Sequence, residues 1–164
     1  MQYAQYEAAA SNPEQEAERL VQKGFLTRQQ GNSLDFAKIR RFFSGPLYDR
    51  IKRSPRCMRE LPFTVERPAQ RFSPGLPDTG GLSDCITIQG IADCVFEENG
   101  MLVIVDYKTD RVQTADELVR RYAGQLHLYA EAFGSTLDLP IFDCLLYSFQ
   151  LGATISVGLP GNKD

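Results

Sequence analysis

Apolar residues recur at helical spacing through the first third of the chain, give way to alternating and β-branched blocks, and return to helical spacing near residue 115. Asn12-Pro13 followed by Glu14, Glu16 and Glu18 predicts a helix start, because proline suits the first turn and acids suit the positive end of the helix dipole. That helix should run to Lys23 and stop at Gly24. Thr27 and Asp35 are further N-cap candidates, and Asp35 opens a helix over Phe36–Phe43 with Phe36, Ile39, Phe42 and Phe43 at helical spacing. Gly45-Pro46 breaks it, and Leu47–Arg53 forms a short successor. Met1–Ala10 carries no clear pattern and is expected to fray.

The period then changes. Arg59–Arg67 predicts a first strand, with Pro62 favouring a sheet edge or an irregular start. Pro68–Asp84 is a loop rich in proline and glycine, and Gly80-Gly81 makes it either a mobile flap or a plain surface insertion. A second strand starts near Cys85, bends at Gly90 and enters a hairpin. Ile91–Phe96 and Met101–Tyr107 are rich in β-branched and aromatic residues, and Asn99-Gly100 between them tolerates the positive φ angles of a two-residue turn. That turn fixes the register: Glu98 faces Met101, Phe96 faces Val103, and counting back puts Asp93 opposite Asp106. Lys108, two residues further on, shares their face.

Thr114-Ala115-Asp116-Glu117 predicts a capping box opening a helix that reaches Phe133 and ends at Gly134. Leu118, Tyr122, Gln125 and Tyr129 lie on one face of it, where the glutamine stands out in an apolar and aromatic stripe. Ile141–Phe149 and Ala153–Val157 are closing strands. The order is helices, three strands, one helix and two strands, without an internal repeat. It predicts an α/β (α+β) fold in which a helical segment over 1–58 packs on a core over 59–164, one domain in all.

Composition changes this picture little, since 164 residues with 43% apolar and 24% charged positions suit one soluble domain with a proper core. No run approaches a membrane span and the polar N-terminus lacks a signal-peptide core, so the expected location is cytoplasmic. Charge distribution matters more. The net charge is -3, yet Lys38–Arg59 holds eight basic residues against Asp49 alone. Such a block is a solvated helical face or a seat for a phosphate backbone, with Arg40, Arg41, Lys52 and Arg53 as candidate DNA contacts. Cys57, Cys85, Cys94 and Cys144 include no C-x2-C pair, which points to free core thiols and away from zinc or an iron-sulfur cluster. His127, the only histidine, cannot build a multi-histidine site.

Two carboxylates sharing a site settle only if one is protonated, a lysine intervenes, or a hard cation binds between them. With few oxygen ligands, magnesium or manganese is the fitting ion, and phosphodiester hydrolysis is the chemistry it supports. The competing reading is a partly exposed hairpin on which Asp106 and Lys108 simply pair.

Gly90-Ile91-Ala92-Asp93, Asp106-Tyr107-Lys108 and Gln125 with Tyr129 resemble, in order and spacing, the G-x-x-D, D/E-x-K and Q-x3-Y motifs of the PD-(D/E)XK nuclease superfamily, RecB-like branch. Arg59–Phe63 (RELPF), Asp106–Asp110 (DYKTD) and QLHLYAEAF are most similar to the C-terminal nuclease domain of AddA-type helicase-nuclease subunits. The resemblance implies a restriction-endonuclease-like core with a mixed central sheet flanked by helices. It implies that Asp93, Asp106 and the Tyr107 carbonyl hold Mg2+ or Mn2+, that Lys108 is the catalytic lysine, and that Gln125 and Tyr129 touch DNA or brace the ligands. Glu60 is a candidate supporting residue, and His127 is expected on the surface or in packing. The implied activity is a DNA exonuclease of double-strand-break repair and recombination. Its partners would be DNA, the helicase portion of the same polypeptide and an AddB-like second subunit. No G-T-x-x-H helix, no P-loop and no clustered cysteines of the iron-sulfur relatives occur here, so the chain is expected to be a fragment short of one metal ligand. Against this stands a catalytically inactive module of the same fold that binds DNA or a partner, although such a module has no need of the intact acid and lysine set.

Overall fold

The computed structural model describes residues 1–69 and 85–159, so the proposed flap at Gly80-Gly81 lies outside the described residues. Five short helices come first: α1 (Tyr6–Ser11), α2 (Pro13–Gln22), α3 (Arg28–Asn32), α4 (Phe36–Phe43) and α5 (Pro46–Arg53). Strands β1 (Cys57–Pro68), β2 (Cys85–Glu98) and β3 (Met101–Lys108) follow, then α6 (Ala115–Gly134), β4 (Ile141–Ser148) and β5 (Ala153–Ser156). The caps behave as local chemistry demands: Asn12, Thr27, Asp35 and Thr114 each accept a backbone N–H of the helix they open. Glu117 departs from a reciprocal capping box, because its carboxylate accepts from the Gln113 N–H at 3.3 Å, one residue upstream of the cap.

The first ten residues are not frayed. Tyr6–Ser11 is helical, and Tyr6 packs among Phe42, Phe43 and Tyr48 while its hydroxyl donates to Tyr107 at 3.2 Å. An isolated six-residue helix has no stability of its own, so this tertiary anchor, invisible to periodicity, decides it.

The sheet has the order β1-β2-β3-β4-β5. Neighbours are antiparallel except β3 and β4, which run parallel because α6 carries the chain back across one face. Asn99 (φ 54°) and Gly100 (φ 75°) make the tight turn, with Glu98 opposite Met101 and Phe96 opposite Val103. β1 is an edge strand, as Pro62 predicts. Gly90 makes no bend; β2 is continuous through it. A Cβ there would stand 2.6 Å from the ring of Phe63, its direct partner on β1, so the glycine exists to let that ring lie across the sheet. Phe63 in turn packs edge-on against Tyr129 and Phe133 of α6, with centroids 5.1 and 5.7 Å away.

Two cores sandwich the sheet. Phe42, Leu47, Tyr48 and Ile51 pack with Cys94, Phe96, Val103 and Val105 on the helical side, and Leu118, Leu126, Tyr129 and Phe133 pack with Val95, Leu102, Ile104 and Leu146 on the other. The chain is therefore a mixed α/β domain whose central sheet is covered on both faces.

Candidate active site

β3 ends between the two layers. Its alternating side chains send Tyr107 toward Tyr6 on the helical side and Lys108 toward Gln125 of α6. Backbone pairing of β2 with β3 stops at Cys94 and Val105, one step short of the Asp93–Asp106 pair that the register projects. Asp93 uses its side chain instead: Oδ2 accepts the Tyr107 N–H at 2.7 Å, replacing a ladder bond. On the opposite side of Asp93, the register with β1 skips Glu60, which adopts a left-handed φ of 51°. Glu60, Asp93 and Tyr107 line a cleft of about 470 Å³ with Lys38 and Asp35 of the helical segment.

Asp106 is 3% exposed, and its Oδ2 lies 2.6 Å from Lys108 Nζ. The ammonium is the partner of this oxygen, and no other donor among the described residues reaches it. Burial pushes the Asp106 carboxyl above its ordinary range; Lys108 pulls it back down, while the charges of Asp93 and Asp110 add to the rise. The ion pair is thus interior rather than a surface pairing, and it leaves the carboxylate short of compensation.

Lys108 is held on further sides. Its Nζ donates to Gln125 Oε1 at 3.2 Å and stands 3.9 Å from the centroid of the Tyr122 ring. Gln125 Nε2 donates to the Tyr129 hydroxyl, which donates to Ile91 O at 3.2 Å. That chain turns the amide so that its oxygen faces the lysine. Residues four apart on one helix face therefore form a single relay from the β2 backbone to Lys108.

Does this arrangement suit a hard divalent cation? A buried carboxylate whose one close partner is an ammonium, and whose pKa is raised by burial and by a neighbouring carboxylate, is the donor such an ion would satisfy. Among the described residues no three Asp, Glu, His or Cys side chains gather around one point, so Asp93, Asp106 and the Tyr107 carbonyl could supply only some of a cation's ligands. The fit is to part of a coordination shell.

A family model described as the PD-(D/E)XK nuclease superfamily matches residues 2–150. The chain belongs to that superfamily. It is also similar to the A subunits of several bacterial ATP-dependent helicase/nucleases. That of Acetivibrio thermocellus is 37% identical over 141 residues, that of Desulforamulus reducens 33% over 141, and that of Ruminiclostridium cellulolyticum 32% over 140. These matches cover 84–85% of this chain and 11% of each relative, so the chain spans a small part of their length.

The remaining residues of this PD-(D/E)XK chain sort by partner. Arg40 pairs with Glu14, Arg50 grips Glu98 through two bonds of 2.9 and 2.7 Å, and Arg59 donates to Ala4 O at 2.6 Å while covering the Tyr6 ring. Arg40 therefore ties one helix to another, while Arg50 and Arg59 tie the helical segment to the sheet. Arg41 packs over Gly152, Arg53 Nε donates to Asp49 O at 3.0 Å, and Lys52 is exposed. His127 is half-buried on α6, and its Nε2 accepts or donates no hydrogen bond among the described residues. No helix among them is long and apolar enough to cross a membrane.

The cysteines are not all core thiols. Cys94 and Cys144 are buried, but Cys57 and Cys85 are exposed, because Cys57 starts an edge strand and Cys85 opens β2 beside its outer end. Cys57 and Cys94 approach to 3.8 Å between sulfurs, and that hydrogen bond, helped by Arg59, brings the Cys57 thiol down to about 7. Alkylation of native protein should therefore label Cys57 with a rate that climbs through pH 7, while Cys94 and Cys144 wait for unfolding. Peptide mass spectrometry reads this directly, and equal labelling of Cys57 and Cys144 would contradict it.

Proposed function

We propose that this chain is the nuclease domain of a cytoplasmic ATP-dependent helicase-nuclease, a magnesium-dependent DNA exonuclease acting in double-strand-break repair and recombination. The observation that carries the reading is the Asp106 carboxylate: buried, paired with the Lys108 ammonium as its one close cation, and pressed by the charge of Asp93. A buried acid beside a second acid and a lysine is the kind of perturbed group that marks functional sites.

Asp93, Asp106 and the Tyr107 carbonyl would hold Mg2+ or Mn2+, which when bound supplies Lewis acidity and a water of lowered pKa beside a phosphodiester. Asp93 keeps the end of β3 at a fixed distance from β2 through the Tyr107 N–H. Lys108, whose ammonium is seated by Asp106, Gln125 and Tyr122, orients the attacking water and stabilises charge that develops on the phosphate. The expected partners are DNA, the helicase portion of the same polypeptide and a second, AddB-like subunit. Of the eight basic side chains over Lys38–Arg59, Lys38, Arg41, Lys52, Arg53 and Arg56 lie outside the Arg40, Arg50 and Arg59 ties. The competing module, a DNA- or partner-binding domain without chemistry, draws support from this exposed basic face alone.

A nuclease assay on linear single- and double-stranded DNA with magnesium decides between them. In the full-length polypeptide, Asp93→Asn should lose cleavage while binding DNA with its steep salt dependence intact. Equal cleavage by parent and variant would overturn the enzymatic reading, and so would manganese uptake in calorimetry that the substitution leaves untouched.

A further inference from the structure

Lys108 Nζ carries three N–H donors, and three electron-rich groups surround it: Asp106 Oδ2 at 2.6 Å, Gln125 Oε1 at 3.2 Å and the ring of Tyr122 at 3.9 Å. Asp106 and Gln125 belong to the nuclease motifs. Tyr122 belongs to none of them. It sits one helical turn before Gln125 on the same face of α6, half-buried, and its hydroxyl donates to Asp110 Oδ1 at 2.7 Å. Asp110 follows Lys108 by two residues just beyond β3, and Arg121 stands 3.8 Å from the same Asp110 oxygen. The loop after the strand is thereby tied to the helix at the point where the ring closes over the ammonium.

We infer that Tyr122, tethered by Asp110, is a positioning residue that holds Lys108 in its reactive place by presenting its ring to the ammonium. The inference rests on the nuclease reading above. A flexible four-carbon side chain seated on two sides still swings; a third wall removes that freedom, and a π face does so without offering an anion that would bind the ammonium too firmly to serve the reaction. Tyr122 makes no hydrogen bond to Asp93, Asp106 or Tyr107: its ring meets the lysine and its hydroxyl meets Asp110.

The test measures cleavage rate at saturating DNA and magnesium, and KM for DNA, in the full-length polypeptide. Tyr122→Leu should lower the rate by roughly tenfold with KM unchanged, the size expected for a desolvated cation–ring contact. Tyr122→Phe keeps the ring and removes only the tether, so it should lose about threefold, the worth of one hydrogen bond; Asp110→Ala, which also removes the partner of Arg121 and a charge near Asp106, should lose at least as much. In a Lys108→Met background, Tyr122→Leu should have no further effect on the residual rate, because its partner is already gone. Parent-like cleavage by Tyr122→Leu, a loss carried by KM, or an undiminished loss in the Lys108→Met background would each overturn the inference. Should Tyr122→Leu melt early, Tyr122→Phe, which keeps the ring and its packing, carries the same decision through its threefold loss. Asp106→Ala run alongside separates the two levels. If it still cleaves, the nuclease reading falls; if it is dead while Tyr122→Leu cleaves like the parent, only the positioning role falls.

Discussion

Asp106→Ala abolishes DNA cleavage while DNA binding survives: that is the expected result with the largest effect on activity. Even partners one shell removed from a catalytic metal cost about 10- to 100-fold when lost, so direct removal of a ligand should exceed about 100-fold. Asp106→Asn should be equally inactive, yet it should behave differently in a melting experiment. The native carboxyl is raised above its ordinary range chiefly by burial, so between the unfolded and native values the folded protein binds the extra proton. Stability contributed by that proton is present at low pH and is lost as pH rises through the window. A neutral isostere escapes that loss but leaves the Lys108 ammonium without its anion, so without divalent cations the Tm of Asp106→Asn relative to the parent's should rise as pH climbs through the window. Adding magnesium should raise the parent's Tm and leave the variant's where it was. A parent Tm indifferent to magnesium and equal to the variant's would remove the physical basis for placing an ion beside Asp106.

The largest effect on stability belongs to Phe42. It is fully buried, and its ring lies 4.8 Å from Tyr147, 5.0 Å from Phe43 and 5.4 Å from Tyr107, edge-on to each. It is the point at which the helical segment enters the sheet. Phe42→Ala should cost about 3–5 kcal/mol, the range for deleting a buried phenylalanine from a packed core. In a chain of this size that lowers Tm by roughly 10 °C or more, a large share of the usual margin. Because Tyr107 loses its neighbour, cleavage should weaken in the folded protein too. A Tm within about 2 °C of the parent would mean the helices fold independently of the sheet, against the shared core seen here.

What the sequence revealed, and what it withheld, divides along the range of the interactions. Caps, the Asn99-Gly100 turn and the register it sets are local, and they were legible to within a residue or two. That Asp106 and Lys108 share a face follows from the strand period, whereas the approach of Gln125 to Lys108 was implied by the family resemblance and by no period. Long-range contacts were not legible. Tyr6 reaching Tyr107 makes a helix of residues that show no helical pattern, and Phe63 lying over Gly90 turns an expected bend into a packing surface. Glu60 was a candidate by its place on the strand, but its left-handed backbone opposite Asp93 has no sequence signal in a glutamate. Tyr122 could have been singled out, since it shares the stripe with Gln125; what hid its role was the fold-back of Asp110, a loop contact with no period. Charge counting along the basic block cannot see that Arg40, Arg50 and Arg59 also bond within the chain.

The bond from the Tyr107 N–H to Asp93 also dictates how any loss of activity at this position is to be read. One carboxylate serves as the last stitch of a hairpin and as a proposed ligand, so the two duties are confounded in an alanine variant, which drops both. Asparagine separates them: its amide oxygen can still accept from Tyr107, keeping the seam closed while the charge is gone. For this chain, then, chemistry and architecture share an atom, and only an isosteric replacement isolates the chemistry.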